Sequence, residues 1–225
     1  MRESVYAIIP AFNEEMSIAA VVRHTAKFVD QVVVVDDHST DRTFMSAVKA
    51  GAIVIQNGFG KQAHLATLYG IKSVDCDIIV NLDADGQQPP NQIPKLLKPI
   101  LDADADCVVG RRGRLPPSER PVRAMVKNIL GAEGEMDAGS GFRAFRRLKL
   151  SKAQPKDLGF CGCGSFILFA HRSGARIVEV PYRSHARKFG GSKIARKSKY
   201  LIHRRQASFL RNRYGIGNEM NIKVS

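Results

Sequence analysis

The sequence predicts an α/β fold, a single domain built on an open, mostly parallel sheet with helices on both faces. Three observations carry this. Short apolar runs alternate with stretches of helical periodicity over the first half of the chain. Three of those runs end in polar or acidic tips, at residues 10–14, 36–41 and 83–87. The 225 residues, 44% of them hydrophobic, suffice for one sizeable core, and no run approaches the ~18–20 apolar residues of a membrane span. Ligands of such sheets bind at the carboxyl ends of the strands, so the three tips are expected to converge on one crevice.

The elements follow in order. Residues 5–10 (VYAIIP) read as a strand, and AFNEE turns into a helix with Asn13 as its N-cap and acids in its first turn. Ile18, Val21, Val22, Thr25 and Val29 recur at helical spacing, which lays one face of that helix on the sheet. Strand 31–35 ends in the DDHSTD tip, helix 43–50 follows, and strand 52–56 closes the third unit. Lys61 between glycine-rich residues opens a further helix, but the spacing and the missing Ser or Thr exclude a Walker loop. Residues 78–82 form a buried strand, followed by a helix with a stripe of Ile93, Leu96, Leu97, Ile100 and Leu101. Pro94 fits the first turn of that helix and Pro99 is expected to kink its end. Beyond residue 110 the rhythm changes: a basic loop at 111–114, a proline-rich hinge at 115–121, a short helix at 122–130, a strand-like piece from Asp137, a helix at 166–172 and an alternating strand at 177–183.

The stretch DIIVNLDADGQQ carries the chemistry. Side chains two apart on an extended chain point the same way, so Asp83, Asp85 and Gln87 would present three oxygens at i, i+2 and i+4 to one hard cation. A cation held so keeps open positions for the oxygens of a diphosphate. The formal charge of +14 adds an anionic partner. That charge is concentrated late: no acid occurs between Glu179 and Glu219, while eleven lysines and arginines do. Cys76, Cys107, Cys161 and Cys163 lack the paired spacing of a zinc site or a disulfide framework. The polar breaks near the N-terminus exclude a signal peptide, so a cytoplasmic protein is expected.

Seven motifs in one order resemble the family 2 glycosyltransferases of GT-A (Rossmann-like) fold, within them the dolichyl-phosphate mannosyltransferases and polyprenyl-phosphate glycosyltransferases. They are IPAFNEE (9–15), VVDDHSTDRT (34–43), NLDADGQ (81–87), VVGRR (108–112), DAGSGFRAF (137–145), EVPYR (179–183) and RKFGGSK (187–193). The resemblance implies a catalytic domain over residues 1–193, with a nucleotide-sugar half at 1–110 and an acceptor half at 111–193, followed by a basic tail at 194–225. It implies Pro10, Phe12, Glu14, Val35, Asp37 and Ala84 at the nucleotide, and Mg2+ or Mn2+ on Asp83, Asp85 and Gln87. Asp85, Arg111 and Arg187 would serve the transfer itself, and Arg120, Arg143 and Lys193 the acceptor phosphate. The chain departs from the family pattern in Phe12 for tyrosine, Ala124 for serine, Ser165 for glutamate, and a shortened stretch at 131–136.

The implied reaction is inverting transfer of a mannose- or glucose-type sugar from a GDP- or UDP-sugar to a polyprenyl phosphate. Such an acceptor is already anionic and needs no strong base, which suits an enzyme without the family glutamate. A hydroxyl acceptor would need a carboxylate base, for which Asp137 is the candidate, against an equally weighted role in holding its own turn. Residues 194–214 mix aromatic, aliphatic and basic side chains, so the protein is expected to sit peripherally on an anionic membrane surface; the alternative is a packed helix with a solvated basic side. A nucleic-acid-binding protein is the third reading, and no nucleic-acid partner is expected because the chain has no such motif and no Trp.

Overall fold

The computed structural model describes residues 2–115, 117–131, 136–158, 162–189 and Ser208. Seven strands form one sheet: β1 (Val5–Ala11), β2 (Gln31–Asp36), β3 (Ile53–Gln56), β4 (Ile78–Asn81), β5 (Cys107–Arg112), β6 (Arg143–Arg146) and β7 (Ile177–Tyr182). Their order across the sheet is β3-β2-β1-β4-β6-β5-β7. All neighbours are parallel except β6, which runs antiparallel to both β4 and β5.

Strands β1, β2 and β4 are largely apolar because helices cover both faces. Val33 and Val35 of β2 enter one core with α3 (Ala63–Ser73), α5 (Arg120–Leu130) and α7 (Gly162–Arg172). Val32 and Val34 enter the other, with α1 (Ile18–Thr25), α2 (Thr43–Lys49) and α4 (Ile93–Leu101). Each such side chain, fully buried, contributes about 1.5–3 kcal/mol, so a one-residue slip of a strand is strongly disfavoured on either face. The βα rhythm expected from the sequence is therefore present, and what it positions is the row of strand ends.

Three local expectations are corrected. Asn13 does not cap α1: the helix begins at Ile18 behind Ser17, and Asn13 sits at φ 51 between β1 and the helix. There its Oδ1 accepts the Thr40 backbone N–H at 2.8 Å and its own N–H donates to Ser39 Oγ at 3.0 Å, which ties the β1 tip to the β2 tip. The strand carrying the aspartates ends at Asn81, one residue short of Leu82, so the extended alternation through residue 87 is lost. Arg111 and Arg112, expected in a loop, are the last residues of β5.

Candidate functional site

The rim is built from the ends of β1, β2 and β4. Neutral and charged bonds lock the first two together: Thr43 Oγ1 accepts the Glu14 N–H at 2.7 Å, and Glu15 Oε2 accepts the Arg42 N–H at 3.0 Å. Asp37 is buried, with Oδ1 accepting from Asn57 Nδ2 at 2.7 Å. Asn57 escaped the sequence reading; its position just past an apolar strand facing an acidic tip was the signal. Phe12 is 39% exposed at the β1 end, beside these polar groups. Pro10 and Ala84 are buried beneath the rim, and Val35 has no exposed side-chain surface and packs with Ile8. Val35, expected to line the pocket, is thus a core residue with no exposed surface.

After β4 the chain makes a tight loop. Gly86 stands at φ 75, a conformation that favours glycine, and Asp85 Oδ1 accepts the Gln87 N–H at 3.0 Å. This reversal turns Gln88, not Gln87, back onto Asp83. Gln88 Nε2 donates to Asp83 Oδ2 at 2.6 Å, and Gln88 Oε1 accepts the Asp83 N–H at 2.7 Å. Gln87 is bound to the segment after β7, its backbone oxygen accepting the His185 N–H at 2.8 Å and its Nε2 donating to the His185 carbonyl at 3.4 Å. The predicted extended alternation is corrected to a turn in which Gln88 is bound to Asp83, and Gln87 to Asp85 through its N–H and to His185 through its side chain. The cause is the turn at Gly86, which alternation cannot reveal.

Asp83 and Asp85 remain the centre. Burial, then the neighbouring Asp85 charge, pushes the Asp83 carboxyl up from 3.8 to about 6, with Arg143, Gln88 and Arg112 acting the other way. Two carboxylates in this state fit a hard divalent cation: their oxygens suit Mg2+ or Mn2+, and the cation would relieve the repulsion. Among the described residues no group of three His, Cys, Asp or Glu is assembled around a common point. A site of two carboxylates completed by substrate oxygens is how Mg2+ is commonly held with phosphates.

Residues 183–189 after β7 cross this rim as a strap. Arg187 donates to Asp85 Oδ2 at 2.9 Å and to Glu14 Oε1 at 3.1 Å. Burial alone would lower its pKa, but the Asp85 and Glu14 carboxylates raise it above the ordinary guanidinium value. Beneath the strap a cavity of about 390 Å³ opens between α1 and the loop after Asp85, lined in part by Val21, Phe28, Asp85, Pro90 and Phe189. Lys193 lies outside the described residues, as does all of the basic tail but Ser208.

The acceptor side is organised differently. Arg112 donates from Nε to Asp137 Oδ2 at 2.8 Å and from Nη2 to Asp137 Oδ1 and Glu119 Oε2, both at 2.5 Å. Asp137, fully buried, is thereby committed to Arg112 on both of its oxygens. Ser165 is also fully buried and donates to the Leu158 carbonyl at 2.6 Å, so it stands in the core and not at the acceptor. Arg143 is 2% exposed, and its guanidinium donates to the Ser140 carbonyl. It is corrected from an open acceptor cation to a charge behind Asp83, whose pKa it lowers. Arg111 and Arg120 are exposed, and Arg120, Ala124 and Asn128 lie on the more open face of α5, opposite the buried Val122, Met125 and Val126.

Comparison with known proteins bears on this arrangement. Residues 6–172 match the model of glycosyl transferase family 2. The UDP-N-acetylglucosamine–dolichyl-phosphate N-acetylglucosaminyltransferase of Methanococcus voltae is 30% identical over 213 residues, covering 80% of this chain and 85% of its own length. The undecaprenyl-phosphate 4-deoxy-4-formamido-L-arabinose transferase of Sodalis glossinidius is 27% identical over 214 residues, 86% of this chain and 63% of that protein. Among solved structures, the glucosyl-3-phosphoglycerate synthase of Mycobacterium tuberculosis, in complex with Mn2+, UDP and glucosyl-3-phosphoglycerate, superposes with a TM-score of 0.76 at 23% identity. It covers 96% of this chain and 82% of that one, a likeness of fold.

Proposed function

The chain belongs to glycosyl transferase family 2 and has its GT-A fold, and from that premise we propose that it transfers a sugar from a nucleoside-diphosphate donor to a polyprenyl phosphate. The observation that carries the reading is the Asp83–Asp85 pair at the carboxyl end of β4, two carboxylates in mutual repulsion beside the strap that brings Arg187 onto Asp85. The named activities of the relatives support a polyprenyl-phosphate acceptor. The name of the Methanococcus relative favours UDP over GDP in the donor.

In this reading Asp37 and Asn57 face the base side of the donor, Glu14 its ribose, and Phe12 packs beside the nucleotide. Asp83 and Asp85 would hold Mg2+ or Mn2+, which would supply Lewis-acid neutralisation of the departing diphosphate. Gln87, by backbone and side chain, fastens the strap to the metal loop. Arg187 leaves its carboxylate partners for the diphosphate oxygens when the donor enters, and Arg111 at the β5 end adds a second positive charge. Arg120, on the open face of α5, meets the acceptor phosphate, with Lys193 completing that site. The acceptor oxygen is anionic at neutral pH and attacks without a base, with inversion, and the commitment of Asp137 to Arg112 is consistent with this. No described helix is long and apolar enough to cross a membrane; the basic residues 194–213 would hold the protein to an anionic bilayer at the cytoplasmic face.

The test is transfer from radiolabelled UDP-GlcNAc, UDP-glucose and GDP-mannose to a short polyprenyl phosphate with Mn2+. Activity with one donor that falls about 100- to 1,000-fold in Asp85→Ala is expected. Transfer only to non-lipid hydroxyl acceptors would overturn the acceptor assignment, and undiminished transfer by Asp85→Ala would overturn the site. The mannose or glucose type predicted from the sequence stands or falls on the same donor panel.

A further inference from the structure

We infer that Gln88 is a positioning residue that orients Asp83 for the divalent cation, a role the adjacent Gln87 does not share. The inference rests on the proposed metal-assisted transfer and deepens it. Gln88 is 4% exposed, so its amide is committed to the interior. Both ends of that amide are spent on a single residue: Oε1 accepts the Asp83 N–H at 2.7 Å and Nε2 donates to Asp83 Oδ2 at 2.6 Å. A two-point clasp of this kind fixes the carboxylate plane as well as its position.

The opposite side of the carboxylate is equally fixed. A Cβ on Gly141 would lie 2.8 Å from each Asp83 oxygen, so the carboxylate packs directly on glycine backbone. The Gly141 carbonyl is held in turn by Asn81 Nδ2 at 2.7 Å, and Asn81 Oδ1 accepts from Thr67 Oγ1 at 3.2 Å. Asp83 is therefore gripped between an amide clasp and a glycine wall, and Oδ2 is occupied. Oδ1 is left as the oxygen to offer a cation. Asp85 has a separate brace, the Gln87 N–H on Oδ1, so the two carboxylates are set by different residues of one turn. Without the Gln88 clasp, Asp83 would rotate and both of its oxygens would compete for the cation, which loosens the geometry a hard ion demands.

The experiment is Mn2+ binding to the intact protein in the presence of UDP, followed by the EPR signal of free Mn2+. Gln88→Met keeps the length of the side chain and removes the clasp. Gln88→Asn keeps an amide but is one methylene too short to reach both points, and serves where the methionine variant does not fold. Each is expected to weaken Mn2+ binding about 10- to 100-fold, the usual loss on removing an outer partner of a metal ligand. UDP affinity without metal, and the melting curve of the metal-free protein within a few degrees, should stay near wild type. Unchanged Mn2+ affinity in a folded variant would overturn the role of Gln88. Asp83→Asn separates the two levels: if it too binds Mn2+ as wild type does, the failure belongs to the metal reading and not to Gln88 alone.

Discussion

Asp83 and Asp137 are two carboxylates sunk into opposite parts of the same sheet edge, and they are treated in opposite ways. Asp137 is fully buried and meets Arg112, which also binds Glu119, so the chain supplies its own counter-charge. Asp83 sits beside another carboxylate, and the burial and repulsion that raise its pKa to about 6 outweigh Arg143 behind it. A charge the fold neutralises by itself contributes to architecture; one it leaves unsatisfied is waiting for a ligand. By that criterion the acidic β4 turn is the better candidate for a functional site and the Arg112 cluster for a structural one, although both are acidic and at least partly buried.

The contrast can be broken by substitution. Asp83→Asn should lower transfer about 100- to 1,000-fold while leaving a folded protein, since it removes charge where charge is in excess. Arg112→Met should do the reverse. Stranding Asp137 and Glu119 without their cation is expected to cost about 3–5 kcal/mol in urea unfolding. A stable, well-folded Arg112→Met protein with poor activity would invert the assignment.

The pH dependence of stability sharpens it. The proton on Asp83 binds more tightly in the folded protein than in the unfolded chain, because the folded pKa of about 6 exceeds 3.8. Its contribution is complete below pH 3.8 and is lost as the pH rises through 6. In metal-free protein, Asp83→Asn should remove that loss and gain roughly 1–2 kcal/mol at pH 7 relative to wild type. Denaturation at pH 4 and pH 7 reads this, and equal slopes for the two proteins would remove the basis of the contrast. A smaller effect is expected at Asn13, whose side chain joins two strand tips through Thr40: Asn13→Ala should cost about 1 kcal/mol and raise KM for the donor more than it changes kcat.

Much of this was legible in the amino-acid order, and for a physical reason. Strands such as Val32–Val35 are covered on both sides, so they are apolar at every position and stand out against the polar tips that follow them. The tips are brought together at one rim, which is why the placement of Asp37, Asp83 and Asp85 at strand ends could be read without coordinates. What stayed hidden depends on backbone angles and on distant partners. The positive φ of Gly86 redirects Gln88 inward, and the positive φ of Asn13 turns a presumed cap into a cross-link. Arg143 reads as a surface cation because nothing in its neighbours announces that β6, with two arginines among its four residues, is inserted into the middle of the sheet. Asp137, one of the two carboxylate partners of Arg112, lies 25 residues away, beyond any local pattern.

Strand β6 carries one more implication. It is hydrogen-bonded between β4 and β5 yet comes after both in the chain, so the residues that complete the sheet around the acidic turn are supplied from the second half. A fragment stopped near residue 112 would leave the inner edges of β4 and β5 bare and facing each other across a gap, an invitation to misassembly rather than a minimal donor-binding module. Swapping whole halves between relatives should therefore give insoluble chimaeras, and new acceptor preferences are more readily obtained by grafting the surface segments that flank β5 and follow β7.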